Sequence, residues 1–311
     1  MCMKTKFFSP HYGLFFYLPR KLIKYSIHLF HPIVLRLYPM PPIKTIEETI
    51  QVLINAKKSI IRYGDGEFQY ILDKISLPYQ EFDKDLHEGL MFYLYNETNE
   101  VIVGLPDCYR SVLDFKNGEP KKYWKSIVVL YLPRLFKIIN PNKIYYNANI
   151  SRFYYGYNDG EMVKRRFELI KEVWANRSIL VVEGEKSRLG VGNDLFDGAC
   201  QVRRILAPPH NAFRVLNELY MEVLKYDRDN LVLVALGTAA KVFVPRLAKS
   251  GYQAIDIGNI DMEYEWFNRK TDKKVIIPGK YNSEVSGGRV VSDIWDELYL
   301  SQIVKSIQIE D

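Results

Sequence analysis

Cysteine and histidine are both scarce in this chain of 311 residues. The three cysteines, Cys2, Cys108 and Cys200, stand far apart with no CxxC spacing, which excludes a disulfide framework and a thiolate zinc site. The five histidines form no HExxH or comparable ligand pattern. A reducing, cytoplasmic setting is the default that follows. No apolar run reaches the ~18 uninterrupted residues that a spanning helix needs. No small-residue cleavage site follows an apolar stretch, so no signal peptide is read. Repeats, low-complexity tracts and linkers past residue 44 are also missing, which leaves one domain as the simplest organisation.

Acidic residues are missing from residues 1–43. That segment carries Lys4, Lys6, Arg20, Lys21, Lys24 and Arg36, which accounts for the whole net charge of +6. Removing these six from the 43 basic residues leaves 37, matched by 37 acids. The body is neutral and the arm basic. A nucleic-acid-binding domain carries its positive charge on a folded face, so nucleic acid is not expected as a partner. The arm is also rich in Phe, Tyr, Leu and Ile, a composition suited to an anionic membrane surface; packing on the body or on a sister subunit is the alternative. The chain thus divides into an arm, 1–43, and a domain, 44–311.

Thr45 and Glu48 form a capping-box pattern for a helix through about residue 56. Beyond it, apolar β-type runs alternate with amphipathic stretches. Strands are expected at Ser59–Tyr63, Val101–Leu105, Lys143–Asn147, Ser178–Glu183, Gln201–Leu206, Leu231–Leu236 and Gln253–Ile257. Helices are expected at Met162–Trp174, Ala212–Tyr226 and Ala239–Ser250. This alternation predicts an α/β, Rossmann-like fold, a mainly parallel sheet with helices on both faces. Ligands in such folds collect where strands end.

Five strand ends carry chemistry. After the first comes Gly64-Asp65-Gly66-Glu67, where two carboxylates at i and i+2 can converge on a hard cation; a turn that starts a helix explains them equally. After Ser178–Glu183 comes "GEKSRLGVGNDLF", in which Lys186 and Arg188 among glycines suit a diphosphate, and Asn193 or Asp194 can cap a short helix. It is neither a Walker A nor a GxGxxG sequence. Gly237-Thr238 precedes a helix, where amides and a hydroxyl can meet a phosphate or an ordinary cap can form. "GNIDMEYEWF" sets Asp261, Glu263 and Glu265 beside Tyr264 and Trp266, equipment for a sugar or a charged helix start. If this stretch is helical, Asp261 and Glu265 share a face. "NANISRFYYGY" offers Arg152 among aromatics. Carboxylates with a basic glycine loop fit a nucleotide diphosphate, and acids with aromatics fit a sugar.

The stretches "RYGDGEF", "ISRFYYGY", "VVEGEKSRLGVGNDLFDGA", "RRILAPPHNAF", "LVLVALGTA", "GYQAIDIGNIDMEYEWF" and "GKYNSE" occur in order over roughly residues 45–285. In this the chain resembles the bacterial glycosyltransferases of the GT-D fold, long catalogued as a domain of unknown function. The resemblance implies that Asp65 and Glu67 bind Mn2+ (or Mg2+), which holds the diphosphate of a UDP-sugar. Donor contacts are expected from Arg62, Gly64, Arg152, Lys186, Arg188, Asn193, Asp194, Gly237, Thr238 and Asn259. By the resemblance Glu265, then Asp261, is the catalytic base; a base acting on the face opposite the leaving group would invert the anomeric carbon, with Glu263, Tyr264 and Trp266 expected on the sugar side. Two departures stand out: Gly237-Thr238-Ala239-Ala240 where the family has Gly-Pro-Thr-Ala, and Asn259 where it has His. The basic, aromatic arm points to a glycan or lipid-linked acceptor at the cytoplasmic membrane face, as in the assembly of cell-surface polysaccharide such as capsule or of glycoprotein glycans. Competing readings are a metal-dependent phosphohydrolase or nucleotidyltransferase, and a non-catalytic sugar-binding scaffold subunit.

Overall fold

A computed structural model describes residues 27–96, 98–157, 160–293 and 295–309. Eight strands form a single sheet: β1 Ser59–Arg62, β2 Val101–Leu105, β3 Tyr146–Asn147, β4 Ser178–Gly184, β5 Gln201–Ala207, β6 Leu231–Ala235, β7 Ala254–Asp256 and β8 Ile303–Ser306. Their order across the sheet is β3-β2-β1-β7-β6-β4-β5-β8, and every pairing is parallel.

The central strands are apolar because both their faces are covered. All of β1 and β2 is buried, as is the run Ile179–Glu183 of β4 and Leu231–Val234 of β6. Helices Ile46–Asn55, Lys84–Tyr95, Glu119–Leu135, Gly160–Lys171, Leu216–Val223 and Ala240–Lys249 are interleaved with the strands. The expected Thr45 capping box is formed: Thr45 Oγ1 accepts the Glu48 N–H and Glu48 Oε2 accepts the Thr45 N–H.

Six of the seven expected strands are present within a residue or so of their predicted limits. The third is cut to Tyr146–Asn147, because Tyr145 instead bridges to Ile43, where the chain enters the domain. The edge strand β8 was not foreseen. It is four residues long and only partly apolar, so it carries no alternation to read.

Candidate functional site

A cavity of about 620 Å3 opens over the carboxyl ends of the strands. Residues Arg62–Glu67 follow β1, Ala148, Asn149 and Arg152 follow β3, and Gly184, Lys186, Ser187 and Leu189 follow β4. Pro208 and Pro209 come after β5, Leu236 and Gly237 after β6, and Asp256, Gly258 and Asn259 from the end of β7. Every strand of the parallel core but the edge strand β8 sends residues to this one place, as a doubly wound sheet dictates.

At the end of β1, Gly64 is extended and a short helix, Asp65–Phe68, begins. Glu67 turns back and accepts the Gly64 N–H at 2.8 Å, satisfying a donor that a helix start leaves orphaned. Its other oxygen lies 3.0 Å from Lys241 Nζ, which lies 3.0 Å from Asp256 Oδ2, and Asp256 Oδ1 is 3.2 Å from Arg62 Nη2. All four side chains are buried. Charges alternate along this chain, which is the arrangement that makes buried ions tolerable. Burial pushes the Asp256 carboxyl up, but Lys241 and Arg62 outweigh it and hold it below its ordinary value. Arg62 also donates to the carbonyls of Asp256 and Ala148 and to Ser151, so it is a strut under the cavity. Asp65 differs: it is half-buried, and its Oδ2 accepts a hydrogen bond from the Tyr123 hydroxyl.

Among the described residues no three His, Cys, Asp or Glu side chains gather as a metal cluster. Magnesium-like ions in nucleotide sites are held by one or two carboxylates with the rest from phosphates and water. Asp65 fits that role. Glu67 does not fit as it stands, since one of its oxygens accepts the Gly64 N–H and the other is paired with the Lys241 ammonium.

The glycine-rich loop after β4 divides by function. Lys186 lines the cavity. Of the cavity cations, Arg62, Arg152, Lys241 and Lys274 are ion-paired, and Lys186 alone has no ion-pair partner among the described residues. Arg188 has a left-handed backbone (φ 51°) and a buried side chain, and it is not among the residues that line the cavity. It donates to the carbonyls of Gly279 and Ser292 at 2.7 and 2.8 Å, which ties the loop to the C-terminal segment. Asn193 and Asp194 are likewise outside the cavity; Asp194 accepts from Lys171 Nζ and the Tyr264 hydroxyl.

The acidic-aromatic stretch is the helix Ile260–Asn268, and Asp261 and Glu265 do share a face. That face clamps the loop. Asp261 accepts the Gly190 N–H and Asn193 Nδ2, both at 2.8 Å, and Glu265 accepts Asn193 Nδ2 at 2.8 Å. Lys280 Nζ sits between the two acids, 2.7 Å from Asp261 and 3.0 Å from Glu265. Burial pushes the Asp261 carboxyl up against the pull of Lys280. On Glu265, burial is outweighed by Asn193 and Lys280, which lower it. Asp261 touches the cavity with its oxygens already taken, and Glu265 does not reach it. Glu265 is thus placed as a clamp on the loop, its oxygens held by Asn193, Lys280 and Arg269.

Nor do Glu263, Tyr264 and Trp266 reach the cavity to form a sugar platform. Trp266 is buried in a small cluster with Met262 and Ile277, donating from Nε1 to the Val275 carbonyl. Glu263 accepts the N–H groups of Tyr154 and Tyr155 at 2.9 and 2.8 Å and so fixes the loop that carries Arg152. Burial raises its carboxyl to about 7, above the ordinary 4.5. The folded protein therefore holds this proton more tightly than the unfolded chain. The contribution to stability is complete below pH 4.5 and is lost as pH rises through 7. Glu263→Gln cannot ionise and keeps an oxygen acceptor, so its melting temperature should fall less than that of the parent between pH 5 and 8. Parallel curves would exclude this carboxyl as the source.

Several cavity residues escaped the strand-end survey. Tyr79, Tyr123 and Trp124 supply the aromatic walls, from a loop and from the helix Glu119–Leu135. Gly237 has a positive φ of 56°, and a Cβ there would lie 2.4 Å from the Tyr79 ring, so the ring rests on bare backbone. Thr238 is fully buried beneath it and does not line the cavity. Asn259 caps the helix Ile260–Asn268 by position and donates to Glu284 Oε1 at 3.0 Å. Glu284 also pairs with Arg152 and Lys274, each at 2.5 Å; burial alone would raise it, and these two cations hold it at about 2. The Tyr281 hydroxyl, on the same wall, is buried with no hydrogen-bond partner among the described residues.

A family model described as glycosyltransferase GT-D fold matches residues 60–285. Glycosyltransferase GlyD of Streptococcus pneumoniae serotype 4 is 36% identical over 266 residues, 85% of this chain and 32% of that protein. The probable glycosyl transferase Gly of Streptococcus gordonii is 34% identical over 267 residues, 86% of this chain and 39% of that protein. The chain thus spans well under half the length of these relatives. A solved structure described as the highly conserved domain of unknown function 1792, with a distinct glycosyltransferase fold, superposes with a TM-score of 0.83 at 30% identity. That match covers 89% of this chain and 99% of the other. A structure described as a new glycosyltransferase from Streptococcus sanguinis gives a TM-score of 0.80 at 32% identity, covering 86% and 100%.

Proposed function

The chain belongs to the glycosyltransferase GT-D fold family, and on that premise we propose that it moves a sugar from a nucleotide diphosphate donor, a UDP-sugar, to a glycan or lipid-linked glycan acceptor. The observation that carries this reading is Lys186: a cavity cation with no ion-pair partner among the described residues, on a glycine loop at a strand end. Breaking the anomeric C–O bond leaves negative charge on the departing diphosphate, and a fixed cation in a recessed cavity stabilises that charge as it develops. Lys186 supplies it from the chain. Asp65 would hold a divalent ion, Mn2+ or Mg2+, whose chemistry here is Lewis-acid neutralisation of the same phosphates. Glu67 acts at one remove by fixing Lys241 and the turn at Gly64. The Tyr79, Tyr123 and Trp124 rings form faces on which a base or pyranose can lie, and the unpartnered Tyr281 hydroxyl is a donor of the kind that a polar ligand satisfies.

The test is calorimetric titration with UDP and UDP-sugars, with and without manganese. We expect saturable binding, and a rise in Kd of about tenfold or more for Lys186→Ala, the scale of a charge-assisted hydrogen bond. Absence of binding by any nucleoside diphosphate sugar would overturn the reading. Release of phosphate in place of transfer would favour the hydrolase reading.

A further inference from the structure

Residues 27–38 lie along the outside of the domain and are apolar on two faces. A 3-10 turn, Ile27–Phe30, leads into the helix His31–Leu37, and both pack on the helix Glu119–Leu135. His31 is buried there, Val34 and Leu35 are partly buried against the core, and the Tyr38 ring meets Phe136 edge-on at 5.7 Å. That accounts for one face. The opposite face presents Leu29, Phe30, Ile33 and Leu37, which are 66%, 56%, 56% and 64% exposed. Positions 29, 33 and 37 recur every fourth residue, so these side chains make one stripe. An unpartnered stripe of large apolar residues marks an interaction surface.

We propose that this stripe docks on an anionic lipid surface. Charge selects that occupant: residues 1–43 hold six basic residues and no acid. Basic segments with large apolar side chains bind at the boundary of anionic bilayers, each base adding to the attraction. No helix among the described residues is long and apolar enough to cross a membrane. Docking itself needs no donor and no turnover, so it stands or falls apart from the transferase reading.

The full chain is mixed with vesicles of phosphatidylcholine alone or with ~30% phosphatidylglycerol, and the bound fraction is read by flotation. We expect binding to the anionic vesicles only, lost at high salt as screening shortens the reach of the bases. Ile33→Glu with Leu37→Glu should lower partitioning at least tenfold, and Leu29→Ser with Leu37→Ser should lower it less, with melting temperatures unchanged because these side chains are exposed. Failure of the parent chain to float, or equal flotation of the Ile33→Glu, Leu37→Glu chain, overturns the proposal. So does a change from dimer to monomer in that variant with lipid binding unaltered, which would make the stripe a contact between copies.

Discussion

Asp65→Asn should leave the fold standing and lower sugar transfer by about 10²–10³-fold, the scale on which removing one stabiliser of developing charge acts. The side chain is half-buried and is held by the Tyr123 hydroxyl, with no ion pair to lose among the described residues. Glu67→Gln should behave differently. Glutamine can still accept the Gly64 N–H, but Lys241 loses one of its two carboxylates inside the domain. Stability should fall, while the response of the remaining activity to manganese persists. The pair of variants separates two readings of the Asp-Gly-Glu motif. If both residues ligate the ion, both variants lose the manganese response at nearly unchanged melting temperature. If Glu67 is the anchor of Lys241, only Asp65→Asn loses it. Full transfer activity in Asp65→Asn would remove this aspartate from the chemistry.

The motif shows what a sequence can and cannot display. Its two readings, a helix-starting turn and a cation site, are not equally open to both residues: Glu67 accepts the Gly64 N–H and pairs with Lys241, while Asp65 accepts only from the Tyr123 hydroxyl among the described contacts. Spacing placed Asp65 and Glu67 at a strand end, which is a local fact. Nothing local could show that Lys241, some 170 residues later, reaches Glu67, because that contact depends on the helix Ala240–Lys249 packing on β1. The same holds for the acids of Ile260–Asn268. Periodicity correctly set Asp261 and Glu265 on one face, yet whether that face meets a cavity or a loop is decided by tertiary packing. Here it meets Asn193 and Lys280. The strands were legible because a sheet covered on both sides demands unbroken apolar runs. The aromatic walls were not, since Tyr79 lies in an irregular segment and Tyr123 and Trp124 start a helix, where an aromatic has no pattern to betray its target.

Lys280→Met tests that clamp, and it should be among the most damaging substitutions in the molecule. Asp261 and Glu265 are 2% and 6% exposed, and the Lys280 ammonium bonds both. Without it, Glu265 keeps Arg269 at 3.3 Å, but Asp261 has no cation and only N–H donors from Gly190 and Asn193. Breaking a buried charge set by removing one partner costs about 3–5 kcal/mol, because the remaining charge stays desolvated. Chemical denaturation should show a loss of that size. Replacing the orphaned acids as well, with Asp261→Asn and Glu265→Gln, should restore part of it, since amides still accept from Gly190 and Asn193. Donor affinity should follow stability in both variants, because the clamped loop is the one that presents Lys186. A catalytic role makes the opposite demand: Glu265→Gln alone would then fold and bind donor as the parent does and fail only in transfer. On the geometry of this helix, Glu265→Gln should instead transfer at nearly the parent rate whenever it is folded.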